Sequence, residues 1–182
     1  MKELSIGDRI RAVEEGSETT ITIDPSIESW KMTLLFAWLV AWTASGLVIV
    51  LQLLSPQDGE VFIFILMYLA FWSYFEYKIV HAWLWRKWGS EVIKLDQGNF
   101  LIKRDIRGYG KVKTFFKENI RNMRLEEFKP KSFAQSYSRS FWVVGGETIL
   151  FNNFHDTYGL GLQLEEKDSK NLLSYIKKRM RR

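Results

Sequence analysis

The chain has 182 residues, room for one domain or for a membrane anchor with one small domain. It has no Cys and only His81 and His155, which excludes disulfides, cysteine nucleophiles and thiolate-held metals and leaves little for an imidazole metal site. A mean hydropathy of −0.14 and a net charge of +5 resemble a soluble protein, yet seven of the eight Trp fall between Trp30 and Trp88, so both averages conceal unlike parts.

Residues 1–28 form the first segment. The runs RIRAV at 9–13 and TTITI at 19–23 bracket a turn-forming stretch of Glu, Gly and Ser, and predict a β-hairpin. Isolated hairpins are marginal, so this one is expected to cover an edge of a later sheet.

Residues 29–88 read as a two-helix transmembrane anchor with spans at about 32–54 and 61–85. The first span has no charge and one amide; as a helix it rises about 35 Å, against a hydrocarbon core of about 30 Å. The connector at 55–60 joins Pro, Gly and acids, as a tight turn does. Ala37, Ala41 and Ser45 recur every fourth residue and predict a close-packing face, directed at the second helix or at a partner helix. Trp30, Trp83, Trp85, Arg86, Lys87 and Trp88 read as an interfacial belt, with rings at headgroup depth and cations among phosphates. Glu76, the one acid within a hydrophobic run, lies two turns before Trp83 and beside Lys78, which reads as interfacial anchoring; no third group completes a proton relay with His81.

Charge splits unevenly along the chain. Residues 1–31 carry 4 Lys/Arg against 7 Asp/Glu, residues 32–85 carry 1 against 3, and residues 86–182 carry 21 against 11. The inter-helix turn has no cation, whereas Lys31, Lys78, Arg86 and Lys87 flank the other ends. The positive-inside rule therefore predicts both termini in the cytoplasm.

Residues 89–182 change period and predict a mainly antiparallel β domain. Strands are expected at 91–95, 100–106, 111–116, 120–128, 140–144, 147–152 and 157–160, with Gly145-Gly146 as a hairpin turn. A terminal helix, capped by Asp168 or Ser169, presents Leu172, Leu173, Ile176 and Met180 as one apolar stripe. Gly108-Tyr109-Gly110 and Gly159-Leu160-Gly161 lack the Lys-Ser/Thr sequel of a phosphate loop and read as turn glycines, and His155-Asp156 reads as a turn. Lys177, Lys178, Arg179, Arg181 and Arg182 are candidate contacts to anionic lipid headgroups.

Seven strands followed by a helix are the order of a pleckstrin-homology-like domain. With the Trp-spaced first helix, Trp88-Gly89-Ser90-Glu91-Val92-Ile93, Ile120-Arg121-Asn122-Met123-Arg124, Ile149-Leu150-Phe151 and Tyr158-Gly159-Leu160-Gly161-Leu162, the chain resembles a group of uncharacterised bacterial inner-membrane proteins that pair a two-helix anchor with such a domain. The resemblance implies an α+β membrane protein, multi-pass in the inner membrane, and carries over no activity. The first strand–turn–strand, around Asp96-Gln97-Gly98-Asn99, has no cation in its turn, so an inositol-lipid site is not implied. The expected role is a non-enzymatic binding or scaffolding module, without cofactor, metal or nucleic acid. Its expected partners are the bilayer and either a protein or a second copy; the alternative is an accessory subunit of a membrane transporter or enzyme complex.

Overall fold

Alternate side chains of four neighbouring strands turn one apolar face inward, and this face organises the β domain. The structure, a computed structural model, describes residues 2–127 and 133–180. Strands β1 (Lys2–Gly7), β2 (Ile10–Glu15) and β3 (Glu18–Ile23) precede helices α1 (Ser29–Gln52) and α2 (Gly59–Trp88). Strands β4 (Gly89–Leu95), β5 (Asn99–Ile106) and β6 (Val112–Phe116) complete a six-stranded antiparallel sheet in the order β1-β2-β3-β4-β5-β6. A second antiparallel sheet holds β7 (Ile120–Leu125), β8 (Glu147–Asn153) and β9 (Asp156–Leu162). Between β7 and β8 lies the short helix α3 (Phe133–Ser138), and α4 (Glu166–Met180) closes the fold.

The N-terminal strands are part of the main sheet. β3 pairs with β4 from Thr19↔Leu95 to Ile23↔Glu91, so the helical hairpin is an insertion between two neighbouring strands of one sheet. Registers align Ala12, Ile21, Ile93 and Ile102 across β2 to β5, all of them buried. Phe100, Phe115, Phe151 and Tyr158 form an aromatic cluster beneath them, with neighbouring ring centroids 4.6–5.8 Å apart. Leu172 and Ile176 of α4 fill the remaining side of the same core.

Several local expectations change. A third N-terminal strand, β1, precedes the expected hairpin. α4 begins at Glu166, so Ser169 is inside the helix, buried and bonded to Thr148, rather than a cap. Gly159 and Gly161 sit within β9 rather than in a turn; Gly161 takes a positive φ and donates its N–H to Glu91. The uneven alternation at 120–125 is a β-bulge: register shifts between Arg121 and Arg124, Asn122 has φ +51°, and Ile120 and Met123 both point inward. Residues 140–144 are not a strand, and Gly145-Gly146 does not close a hairpin. Phe141 and Trp142 there pack on Trp30 and Trp38 of α1, so contact with the helices overrides the local β pattern.

Both helices are long and apolar enough to cross a membrane. They meet through Trp42, Thr43 and Gly46 of α1 rather than through the Ala37–Ala41–Ser45 face; Ala37 and Ala41 are exposed, with Ser45 half-buried. The reason is Trp72, whose ring fills the space a Cβ on Gly46 would take and whose indole N–H donates to the Trp42 carbonyl (2.9 Å). Gly46 leaves room for that ring, so this stripe rather than the neighbouring one meets α2.

Candidate functional site at the helix–sheet junction

α2 runs into β4 without a loop, so its last turns are rigidly joined to the sheet. Gly89 permits this, because a Cβ there would meet the Trp85 carbonyl and ring. Sequence reading places Trp83, Trp85, Arg86, Lys87 and Trp88 in one belt, but the helix divides them. Trp85 (2% exposed) and Arg86 (6%) face the β domain and are buried, whereas Lys87 is exposed and Trp83 and Trp88 are half-exposed. Trp30, at the start of α1, is exposed.

Arg86 is a junction residue instead of an interfacial cation. Its guanidinium donates to the Pro25 carbonyl (3.1 Å), to the Val143 carbonyl (3.5 Å) and to Gln163 Oε1. Gln163, held at φ +50°, donates in turn to the Ser138 and Ser140 carbonyls (3.2 and 2.9 Å). Arg9 joins the cluster through the Asp24 and Gln163 carbonyls (2.7 and 3.1 Å). Thus the β3–α1 linker, the end of α2, the segment after α3 and the β9–α4 connection meet at one hydrogen-bonded point. Long-range partners of this kind leave no local mark, so neither Arg9 nor Gln163 stands out in the sequence.

The outer face of the junction keeps the cations and rings. Lys87 lies over Trp83 and Trp88 (4.6 and 4.9 Å to the centroids), and Arg107 stacks on Trp88 from the β5–β6 turn (3.7 Å). Arg107 joins this group because Ile106 pairs with Gly89. The basic C-terminal run lies elsewhere. Arg179 is paired with Glu14 and stacks near Tyr175, whose hydroxyl also donates to Glu14 (2.7 Å). Glu14 is at the far end of β2 from Ile10, and Ile10 pairs with Ile23 at the hairpin side. α4 therefore carries Lys177 and Lys178 to the end of the β domain opposite the helices, and Arg181 and Arg182 lie outside the described residues.

Glu76 also departs from its expected setting. Its carboxylate turns into the α1–α2 seam and accepts the Thr43 hydroxyl (2.7 Å), while its second oxygen is buried without a hydrogen bond among the described residues. Thr43 is the twelfth of the 23 uncharged residues at 32–54, whereas Glu76 directly follows the uncharged run 61–75 of α2, so the pair joins the middle of the first run to the domain-side end of the second. Lys78 lies over the Tyr74 ring (5.6 Å).

Where the junction meets the sheet, a buried carboxylate lies beside a half-exposed ion pair. Glu91 (1% exposed) accepts the N–H groups of Gly161 and Leu162 (2.9 and 3.1 Å), and its cross-strand partner Arg104 is paired with Glu147. Burial pushes the Glu91 carboxyl above its ordinary value, against the opposing pull of Arg104 and the two N–H groups. Burial also pushes Glu147 upward, but its bond with Arg104, a backbone N–H and the charges of Arg104 and Lys113 together outweigh that and hold it below the usual range. Raising the folded pKa of Glu91 means that its stabilising contribution is complete below the unfolded value of 4.5 and is lost as pH climbs through the folded value. Glu91→Gln is accordingly expected to match the parent in acid and to gain stability relative to it as pH rises, by at most about 1.4 kcal/mol per pH unit within that window. Thermal melts of both proteins from about pH 4 to pH 8 read this difference, and parallel curves reject it.

Among the described residues no three His, Asp or Glu side chains gather to hold a metal. The junction combines a buried hydrogen-bonded hub inside with cations stacked on indoles outside. Comparison with protein-family models, curated proteins and solved structures finds no match to this chain.

Proposed function

We propose that this chain is a multi-pass protein of the bacterial inner membrane, with both termini in the cytoplasm, whose pleckstrin-homology-like β domain is a non-enzymatic binding or scaffolding module held against the membrane surface. The observation that carries the reading is the uncovered apolar surface of the hairpin. Leu47, Val48, Leu51, Ile63, Phe64, Met67 and Phe71 are all exposed, a continuous patch that water would not tolerate and lipid would cover. The charge distribution supports the orientation: Asp58 and Glu60 lie at the free turn, and Lys31, Lys87 and Arg107 at the domain end. Among the described residues six strands rather than seven follow the hairpin; the second sheet and closing helix support the pleckstrin-homology-like reading, with three N-terminal strands extending the first sheet. The domain's task is to hold a protein partner, or a second copy, near the anionic surface. Headgroup contact is assigned to Lys87, Arg107 and their Trp partners, since Lys177 and Lys178 are on the remote end.

The absence of Cys permits a direct test. In intact cells an impermeant maleimide is expected to label Asp58→Cys, and to label Gln97→Cys only after permeabilisation; the reverse pattern overturns the orientation. Resistance of the chain to carbonate extraction is expected, and its release would remove the anchor. The alternative, an accessory subunit of a larger membrane complex, draws on the exposed Ala37 and Ala41, which α2 leaves uncovered. Recovery of a stoichiometric integral-membrane partner on crosslinking favours it.

A further inference from the structure

Beside the junction, α2 and the β domain enclose a cleft of about 590 Å³, the size of a ligand site rather than a packing defect. Lys78, His81 and Trp85 share one stripe of α2 (i, i+3, i+7) and form one wall; Arg104 and the segment with Tyr137 and Ser138 form the other. No acid lines it. Among the described residues, Arg104 is paired with Glu147 through one nitrogen, Lys78 is engaged by the Tyr74 ring alone, and His81 stacks on Tyr77 with no hydrogen bond. The cleft therefore presents a cation, a partly engaged guanidinium, an imidazole and hydroxyls to one space.

A second, apolar slot of about 230 Å³ adjoins it and shares Phe75, Lys78, Tyr137 and Val143 with it. Its own walls are Trp38, Ile79 and Trp142. Polarity falls along the helix: Arg104 and His81 mark the domain side, Lys78 the boundary, and Phe75 with Trp38 the side toward the apolar span. His81 to Phe75 is six residues, about 9 Å of helix. A polar anion site opening into an apolar slot, with the slot on the lipid side, matches an amphiphile held by its head.

We propose that this composite cleft binds one anionic phospholipid, its phosphate between Lys78, His81 and Arg104 and the start of an acyl chain against Phe75, Trp38 and Trp142. The proposal rests on the membrane reading above and assigns a specific ligand within it. A soluble phosphate compound would use the cationic half alone and leave the slot without a role; the slot's position decides for the lipid.

The test uses the full chain purified in neutral detergent, offered phosphatidylglycerol or phosphatidylcholine and examined by native mass spectrometry. One phosphatidylglycerol per chain is expected to be retained in preference to phosphatidylcholine. In the double variant Lys78→Gln/His81→Gln its retention is expected to fall about tenfold. Lys78→Arg is expected to keep it, and so is Lys177→Gln/Lys178→Gln, whose cations are remote from the cleft. Melting temperatures of the variants, taken in parallel, identify loss of fold; if the double variant unfolds, Ser138→Glu, which adds an opposing charge to the wall, takes its place and is expected to abolish retention. Equal retention of the two lipids, or no change in the folded variants, overturns the site. So does binding of glycerol phosphate without the lipid, which would assign the cleft to a soluble ligand. Carbonate extraction separates the two readings: a chain that stays in the membrane and retains no phosphatidylglycerol refutes the cleft alone.

Discussion

Gly46→Leu is expected to force α1 and α2 apart. Trp72 occupies the space beside the Gly46 Cα, and it is fixed there from both sides. Its indole N–H donates to the Trp42 carbonyl (2.9 Å), while the Trp42 indole reaches back to the Trp72 carbonyl (3.4 Å). An added side chain cannot be absorbed by a rotamer change of a free ring; it must separate the helix backbones or break this reciprocal pair. Overpacking of this kind costs about 3 kcal/mol. The Thr43–Glu76 hydrogen bond, in the same seam, should be lost with it. The measurement is disulfide formation between Cys introduced at Thr43 and Glu76, with and without Gly46→Leu, together with the melting temperature. Ala41→Leu, on the exposed side of α1, is the control and should leave both unchanged. Efficient crosslinking and an unaltered melt in the Gly46 variant would reject the packing of the seam on Trp72.

Arg86→Ala is expected to uncouple the hairpin from the β domain. Three acceptors from three separate segments, the Pro25 and Val143 carbonyls and Gln163 Oε1, lose their donor together. Stranding buried acceptors that were bonded to a charged group costs about 3 kcal/mol. Arg86→Lys should not restore it, because one ammonium cannot span a fork of acceptors that a planar guanidinium reaches at once. Lys87→Ala, one residue on, should lose no more than about 1 kcal/mol, the scale of its contacts with Trp83 and Trp88. Limited proteolysis in the linker at 24–28 and the segment at 139–146 reads the uncoupling directly. Equal protease resistance of Arg86→Ala and the parent would remove Arg86 from this role.

These two positions show why the site was only partly legible. Gly46 lies in the stripe next to Ala37, Ala41 and Ser45, and small residues alone do not say which stripe meets a partner; the answer depends on where the Trp72 ring falls from the other helix. Trp85-Arg86 and Trp83 with Lys87-Trp88 are neighbours in sequence and have the composition of an interfacial belt. A helix turns successive residues through about 100°, so docking the β domain on one side buries the first pair and leaves the others outside. Arg107 and Lys87 come together only because β4 and β5 pair in one register. Likewise Arg179 reads as one of a run of candidate headgroup contacts, until β2 brings Glu14 to it.

The sequence by itself determined what depends on runs and local periodicity: two uncharged stretches of helical length, the acidic turn between them, the strands at 9–13, 19–23, 91–95 and 100–106, and the apolar stripe of α4. These features repeat within a few residues, and backbone geometry converts them directly into length and face. Only the tertiary structure decided that β3 and β4 are neighbours across the whole hairpin, that residues 140–144 pack on α1 instead of forming a strand, and that cations, rings and an apolar slot converge beside α2. Those outcomes are set by packing between segments far apart in the chain, where shape and the need to satisfy buried polar groups outweigh any local preference.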